Sequence, residues 1–149
     1  MPAFAVKHLV SEHGPLMANL KDIRRTPYSF TSKHTEASAA ARGALVYVVE
    51  THRLKGETSY KLGYVYRAFE AYKRAGSVLW KNEFIYKNSA VPGDPAEGAY
   101  FETAVDIRDP DFCAGFLALP PGMVEIPPHL VAPLDALIDD PANGAKAYR

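Results

Sequence analysis

Apolar and polar positions divide the chain into short segments. Phe4-Ala5-Val6-Lys7-His8-Leu9-Val10 predicts a first strand. Ser11 to Gly14 predicts a turn, and Pro15 suits the first position of a helix. Leu16, Leu20 and Ile23, with Met17 beside them, recur at helical spacing, so an amphipathic helix is expected over residues 15–25. Thr26-Pro27 ends it. Tyr28 to His34 mixes aromatics, hydroxyls and a cation without a clean period and suits a short strand or an ordered loop. Thr35 or Ser38 is placed to cap an Ala-rich helical turn up to Arg42, with Gly43 terminating it.

The stretch from Ala44 to Tyr72 organises the rest. Ala44 to Glu50 is apolar, β-branched and too short for a typical helix, which predicts a buried strand. A polar loop is expected over Thr51 to Ser59, and a second strand over Tyr60 to Phe69, giving a long-looped hairpin. Arg74-Ala75-Gly76 predicts a turn, Ser77 to Tyr86 a strand with two partly apolar faces, and Lys87 to Gly98 a loop. Tyr100 to Arg108 is the cleanest alternation: Phe101, Thr103, Val105 and Ile107 on one side, Glu102 and Asp106 on the other.

Asp109-Pro110-Asp111 predicts a turn, and Phe112 to Leu119 a strand or a packed loop. Met123 to Ile126 predicts an extended piece. Pro127-Pro128 opens a terminal helix with Leu130, Val131, Leu134, Leu137 and Ile138 on one side, and Pro133 is placed to split it. The tail, 141–149, is expected to be loose. Sequential strands with helices at the beginning and end predict one α+β domain over residues 1–149. Its small curved mixed or antiparallel sheet would form an open β-barrel with flanking helices.

Length and composition fit an ordinary globular domain. No apolar run approaches the roughly 20 residues that span a bilayer, and residues 1–10 lack the order of a signal peptide. A single cysteine, Cys113, excludes an internal disulfide and fits a reducing, cytoplasmic compartment. Formal net charge is zero, but residues 1–88 carry 14 Lys+Arg against 7 Asp+Glu, and residues 89–149 carry 3 against 10. The basic part suits an anionic partner such as nucleic acid; mutual neutralisation of the two parts is the plainer reading.

Catalytic signatures are absent: no phosphate loop, dinucleotide fingerprint or nucleophile elbow. The histidines, His8, His13, His34, His52 and His129, lack zinc-site spacing. Asp109 with Asp111, and Asp139 with Asp140, suit turn and surface roles better than acid–base work. Cys113, in an apolar context, suits an inert buried thiol. No catalytic residue, metal or cofactor is therefore assigned.

Aromatics are concentrated in the basic part. Tyr28, Phe30, Tyr47, Tyr60, Tyr64, Tyr66, Phe69, Tyr72, Trp80, Phe84 and Tyr86 are interleaved with Lys and Arg, as base stacking with phosphate neutralisation requires. Strand propensity and core filling explain most of them equally well. Phe30 and Trp80 stand apart as candidate pocket walls. Arg24 and Arg25 suit either the last turn of a helix or phosphate contact.

The order of pieces resembles the PUA-like superfamily, particularly its EVE and YTH branches. The residues that carry this are the first strand Phe4-Ala5-Val6-Lys7, the aromatic-hydroxyl loop Phe30-Thr31-Ser32-Lys33 and the strand Gly43 to Val48. The step Leu62-Gly63-Tyr64-Val65, the segment Leu79-Trp80-Lys81 and the closing Val-Glu-Ile-Pro-Pro before an apolar helix complete it. The resemblance implies a small curved sheet with flanking helices that binds nucleic acid, DNA or RNA, and holds a modified base in an aromatic pocket. It implies Phe30 and Trp80 as walls, Ser32 as a contact to the base edge and Lys33 at a phosphate, with Arg24 and Arg25 holding the backbone. The YTH pattern has tryptophan where Phe30 stands. Two other classes remain open: a protein–protein module using the acidic C-terminal part, and a small metal- or metabolite-dependent enzyme built from residues such as His34, Glu36 and Asp106.

Overall fold

The computed structural model describes residues 2–10, 27–31, 37–75, 84–90 and 97–148, with residues 30–31, 38–39, 70–75 and 84–89 described by their backbone. The strands are β1 (Ala3–Leu9), β2 (Tyr28–Thr31), β3 (Leu45–Leu54), β4 (Glu57–Arg67), β5 (Glu70–Ala75), β6 (Phe84–Ser89), β7 (Gly98–Asp106) and β8 (Met123–Ile126). The helices are a single turn, α1 (Ala37–Ala40), then α2 (Pro110–Leu117) and α3 (Pro128–Asp139). The chain is mixed α+β. A five-stranded sheet has the order β7-β4-β3-β1-β8, and a three-stranded sheet the order β2-β6-β5. The larger sheet is mixed, since β1 runs parallel to β3 and antiparallel to β8. It does not close on itself: β7 and β8 are its outer strands.

Both faces of the larger sheet are covered, which is why its central strands are apolar nearly throughout. On one face Ala5, Tyr47, Val49, Tyr60, Leu62 and Val65 pack with Phe112 and Phe116 of α2 and Leu130 and Leu134 of α3. On the other, Phe4, Val6, Val46, Val48, Tyr64 and Tyr66 form a second core with Tyr100 and Tyr148, against which Tyr28 of β2 packs.

Alternation alone would put Tyr60, Leu62, Tyr64 and Tyr66 on one face. The structure divides them. Val48 pairs with Tyr64 but Val49 pairs with Leu62, so Gly63 is an extra residue in β4. The bulge sends Tyr60 and Leu62 to the helix face and Tyr64 and Tyr66 to the other. The neighbouring strand answers it: Leu62 pairs with Val105 and Tyr64 with Tyr100, so the register of β7 shifts across from Gly63. Phe101, Val105 and Ile107 face the helix-side core and Glu102 and Asp106 are exposed, as the alternation predicts, but Thr103, expected on the core side, is exposed.

The long polar loop expected over Thr51 to Ser59 is instead a strand-paired hairpin with only Lys55 and Gly56 at its tip. Both have positive φ, 52° and 79°, the geometry of a type I′ turn, whose twist matches that of the strands. Arg74 and Ala75, expected in a turn, pair with Ile85 and Phe84 in β5, and Lys87 to Ser89, expected in a loop, belong to β6.

Residues 110–117 form α2 rather than a turn followed by a strand or packed loop. Asp109 caps it, its side chain accepting from the Phe112 N–H, and Pro110 takes the first turn. Pro133 does not split α3, which runs through it. The proline removes one helical hydrogen bond, to the carbonyl of His129, and His129 is exposed to water. The tail, expected to be loose, is docked. Lys146 bridges to Tyr100, Tyr148 is buried and stacks on Tyr100, and its hydroxyl donates to the Val65 carbonyl at 2.7 Å. A buried aromatic anchor outweighs the polar composition around it. The expected helix over 15–25 lies outside the described residues. No described helix is long and apolar enough to cross a membrane.

Candidate nucleic-acid interface

Strand β2 carries Phe30, and its attachment starts from hydroxyl chemistry. The Tyr64 hydroxyl donates to the Tyr28 carbonyl. The Ser29 hydroxyl lies 2.6 Å from that of Tyr66 in a buried contact. Burial pushes both phenols, Tyr64 and Tyr66, well above their ordinary range, so both stay protonated hydrogen-bonding groups. The Gly63 bulge is what turns these two tyrosines toward β2.

The register of the three-stranded sheet aligns Phe30 of β2 with Lys87 of β6, and Lys87 with Tyr72 of β5. The neighbouring row is Thr31, Tyr86 and Lys73. Arg74 stands two residues beyond Tyr72 on the same strand. Phe69, on the two-residue link from β4 to β5, is 50% exposed. Lys73, Tyr72 and Lys87 were legible as members of an aromatic and basic sequence, but their alignment needed the β5–β6 pairing, which the expected turn and loop concealed. Of the six residues expected at the site, only Phe30 is described; Arg24, Arg25, Ser32, Lys33 and Trp80 lie outside the described residues.

A second constellation lies on the same side of the larger sheet. Glu50 of β3 is buried, its carboxylate is 2.5 Å from His52 Nε2, and His8 of β1 stands opposite it. Among the described residues no group of three or more His, Cys, Asp or Glu side chains is placed to hold a metal ion. Of the residues in the enzyme reading, His34 and Glu36 lie outside the described residues. Asp106 is exposed, with Lys61 and Arg108 at 3.8 and 3.6 Å. The Cys113 thiol is pushed up, by burial first and then by Asp109, and its sulfur lies 3.3 Å from the Ile107 carbonyl oxygen, as an inert thiol would.

The acidic C-terminal part contributes a cleft of about 490 Å³ between β8 and α3. Ala3, Ile126, Pro127 and Val131 form apolar wall, and Glu125 and Asp135 supply carboxylates. Tyr47, buried beneath, donates its hydroxyl to Asp135 at 2.5 Å.

The chain matches no protein-family model, no curated protein and no solved structure. The reading of its function therefore rests on the residues themselves.

Proposed function

We propose that the chain is a nucleic-acid-binding module of the PUA-like type, without catalytic activity, that holds one unstacked and modified base between Phe30 and Trp80. The observation that carries this reading is the row Phe30, Lys87, Tyr72 across the second sheet. Directly opposed residues of antiparallel pairs share a face. The register thus places Phe30, Lys87 and Tyr72 side by side on one sheet face, with Arg74 at the next position of that face on β5. Stacking surface beside cationic charge is what single-stranded nucleic acid requires.

In this reading Ser32 bonds the base edge, and Lys33, Arg24 and Arg25 hold the backbone. The two sheets together form the open, curled body of the PUA-like fold, with its helices flanking. The module works in the cytoplasm without metal or cofactor. The mixed order of the larger sheet and the tyrosine-held β2 support the reading.

Fluorescence anisotropy with short single- and double-stranded DNA and RNA, plain and methylated, tests it. Phe30→Ala and Trp80→Ala are each expected to weaken binding about tenfold, the scale of one lost base–aromatic stack. Trp80 is the only tryptophan, so bound base quenches its fluorescence. Absence of binding at low salt, or unchanged binding by both variants, rejects the reading.

A second reading has its own observation, the carboxylate-bearing cleft of β8 and α3. There the module takes a basic protein partner, in an association that weakens with salt and needs no nucleic acid.

A further inference from the structure

On the helix-covered face of the larger sheet, register brings four hydrogen-bond donors together. Lys7 stands opposite Val49, and Leu9 opposite Thr51. Thr51 stands opposite Tyr60, and Arg53 opposite Thr58. Val49 and Tyr60 belong to the core on the helix side, so Lys7, Thr51, Tyr60 and Arg53 occupy three consecutive rows of that face.

The local chemistry is one-sided. The Lys7 ammonium sits 4.9 Å from the centre of the Phe116 ring and donates to the Leu119 carbonyl. Burial lowers its pKa, and so does the like charge of Arg53. Arg53 is exposed and forms no ion pair with a described residue. The Thr51 hydroxyl is buried with no hydrogen-bond partner. Arg53 stands two residues beyond Thr51 on the same face of β3, and Thr51 stands directly opposite Tyr60. Capping the end of α2 accounts for one of the three N–H donors of Lys7; it accounts for neither the second cation nor the orphaned hydroxyl.

We propose that Lys7 and Arg53, with the hydroxyls of Thr51 and Tyr60, form a binding site for an oxyanion of the phosphate class. Lys7 and Arg53 share this face with no ion-pair partner among the described residues, and a doubly charged oxyanion converts the repulsion between them into charge-assisted hydrogen bonds. The Thr51 hydroxyl, buried and without a hydrogen-bond partner, lies in the row between those of the two cations and supplies a further donor, as unsatisfied groups do where a ligand or ion belongs. The site lies on the opposite face of the larger sheet from β2, so it stands independently of the base-stacking row.

The test uses the full chain and inorganic phosphate. Phosphate is expected to raise Tm in a saturable way that sodium chloride at matched ionic strength does not reproduce. Arg53→Gln, at an exposed position, and Lys7→Met, which keeps an apolar stem over Phe116, are each expected to weaken the response about tenfold, the scale of one charged hydrogen bond. Phe30→Ala should leave it unchanged. A nucleoside 5′-monophosphate and a short oligonucleotide distinguish the sources. Arg53-dependent binding of the monophosphate alone assigns a small phosphate ester, and of the oligonucleotide alone a nucleic-acid backbone. A phosphate effect equal to that of chloride, or one unchanged in folded Arg53→Gln and Lys7→Met, overturns the proposal.

Discussion

The Ser29 hydroxyl and the Tyr66 phenol lie 2.6 Å apart, both buried, and join the three-stranded sheet to the five-stranded one. Ser29→Ala takes away the side-chain partner of a buried hydroxyl, and Tyr66→Phe does the same to Ser29. Each should cost about 1–3 kcal/mol in urea unfolding. Together they should cost less than their sum, by about 1 kcal/mol, because the hydroxyl–hydroxyl contact can be lost only once. Strict additivity would show that the contact does not hold the sheets.

Gly98 opens β7 at φ +127°, and a Cβ there would lie 2.1 Å from the Val65 carbonyl oxygen. Backbone cannot swing aside as a side chain can. Gly98→Ala should therefore destabilise by about 3 kcal/mol or more, combining strain with a forced break in the β4–β7 pairing. Gly56 has positive φ too, but nothing lies within 4 Å of its missing Cβ. Gly56→Ala should cost only about 1 kcal/mol, the strain of the left-handed conformation. Lys55→Asn at the same turn should be stabilising, since asparagine tolerates φ near 52° better than lysine. Thermal unfolding of the three variants gives the order; equal losses at Gly98 and Gly56 would contradict the close approach.

Tyr148 tests whether the tail belongs to the core. Its ring stacks on Tyr100 with centroids 5.5 Å apart, and its hydroxyl donates to the Val65 and Ala99 carbonyls. Tyr148→Phe should cost about 1 kcal/mol, the net of a buried hydrogen bond. Tyr148→Ala should cost about 3–5 kcal/mol, as for other large buried rings. A tail with no structural role would leave both variants at the parental stability.

The central hairpin was legible because Leu45 to Glu50 and Tyr60 to Arg67 are β-branched and aromatic. Its true length was not, because residues 51–53 and 57–59 are polar and partly exposed yet still pair. Polar strand ends look like loop when the two-residue turn lacks an Asn-Gly or Asp-Gly signal. The switch of faces at Gly63 becomes visible only when β4 is paired with β3 and β7. Phe112 to Leu119 is short enough to suit strand or helix by apolarity alone; Asp109-Pro110, a cap followed by a first-turn proline, was the signal for helix. Tyr148 stands alone among small and polar residues, and nothing local announces its burial. At the candidate site, the aromatic and basic content was legible in the sequence. The alignment of Phe30 with Lys87 and Tyr72 was not, because it depends on pairing between distant segments.

Alkaline pH should find the weak point of a core so rich in tyrosine. The phenols of Tyr47, Tyr60, Tyr64, Tyr66 and Tyr148 are all raised, with burial the largest cause in each. A raised folded-state pKa means that the unfolded chain releases its phenolic protons first, near pH 10. Below that pH both states hold these protons and the contribution to stability is complete. Above it the unfolded chain binds fewer protons than the folded one, so stability falls as pH rises toward the folded-state values. Tyrosinate absorbance at 295 nm should therefore lag until the fold gives way and then rise together with loss of far-UV circular dichroism. Tyr148→Phe and Tyr64→Phe should each flatten the loss of stability per pH unit. Gradual ionisation centred near pH 10 with the secondary structure intact would show that these phenols are open to water, and would remove the burial on which both cores depend.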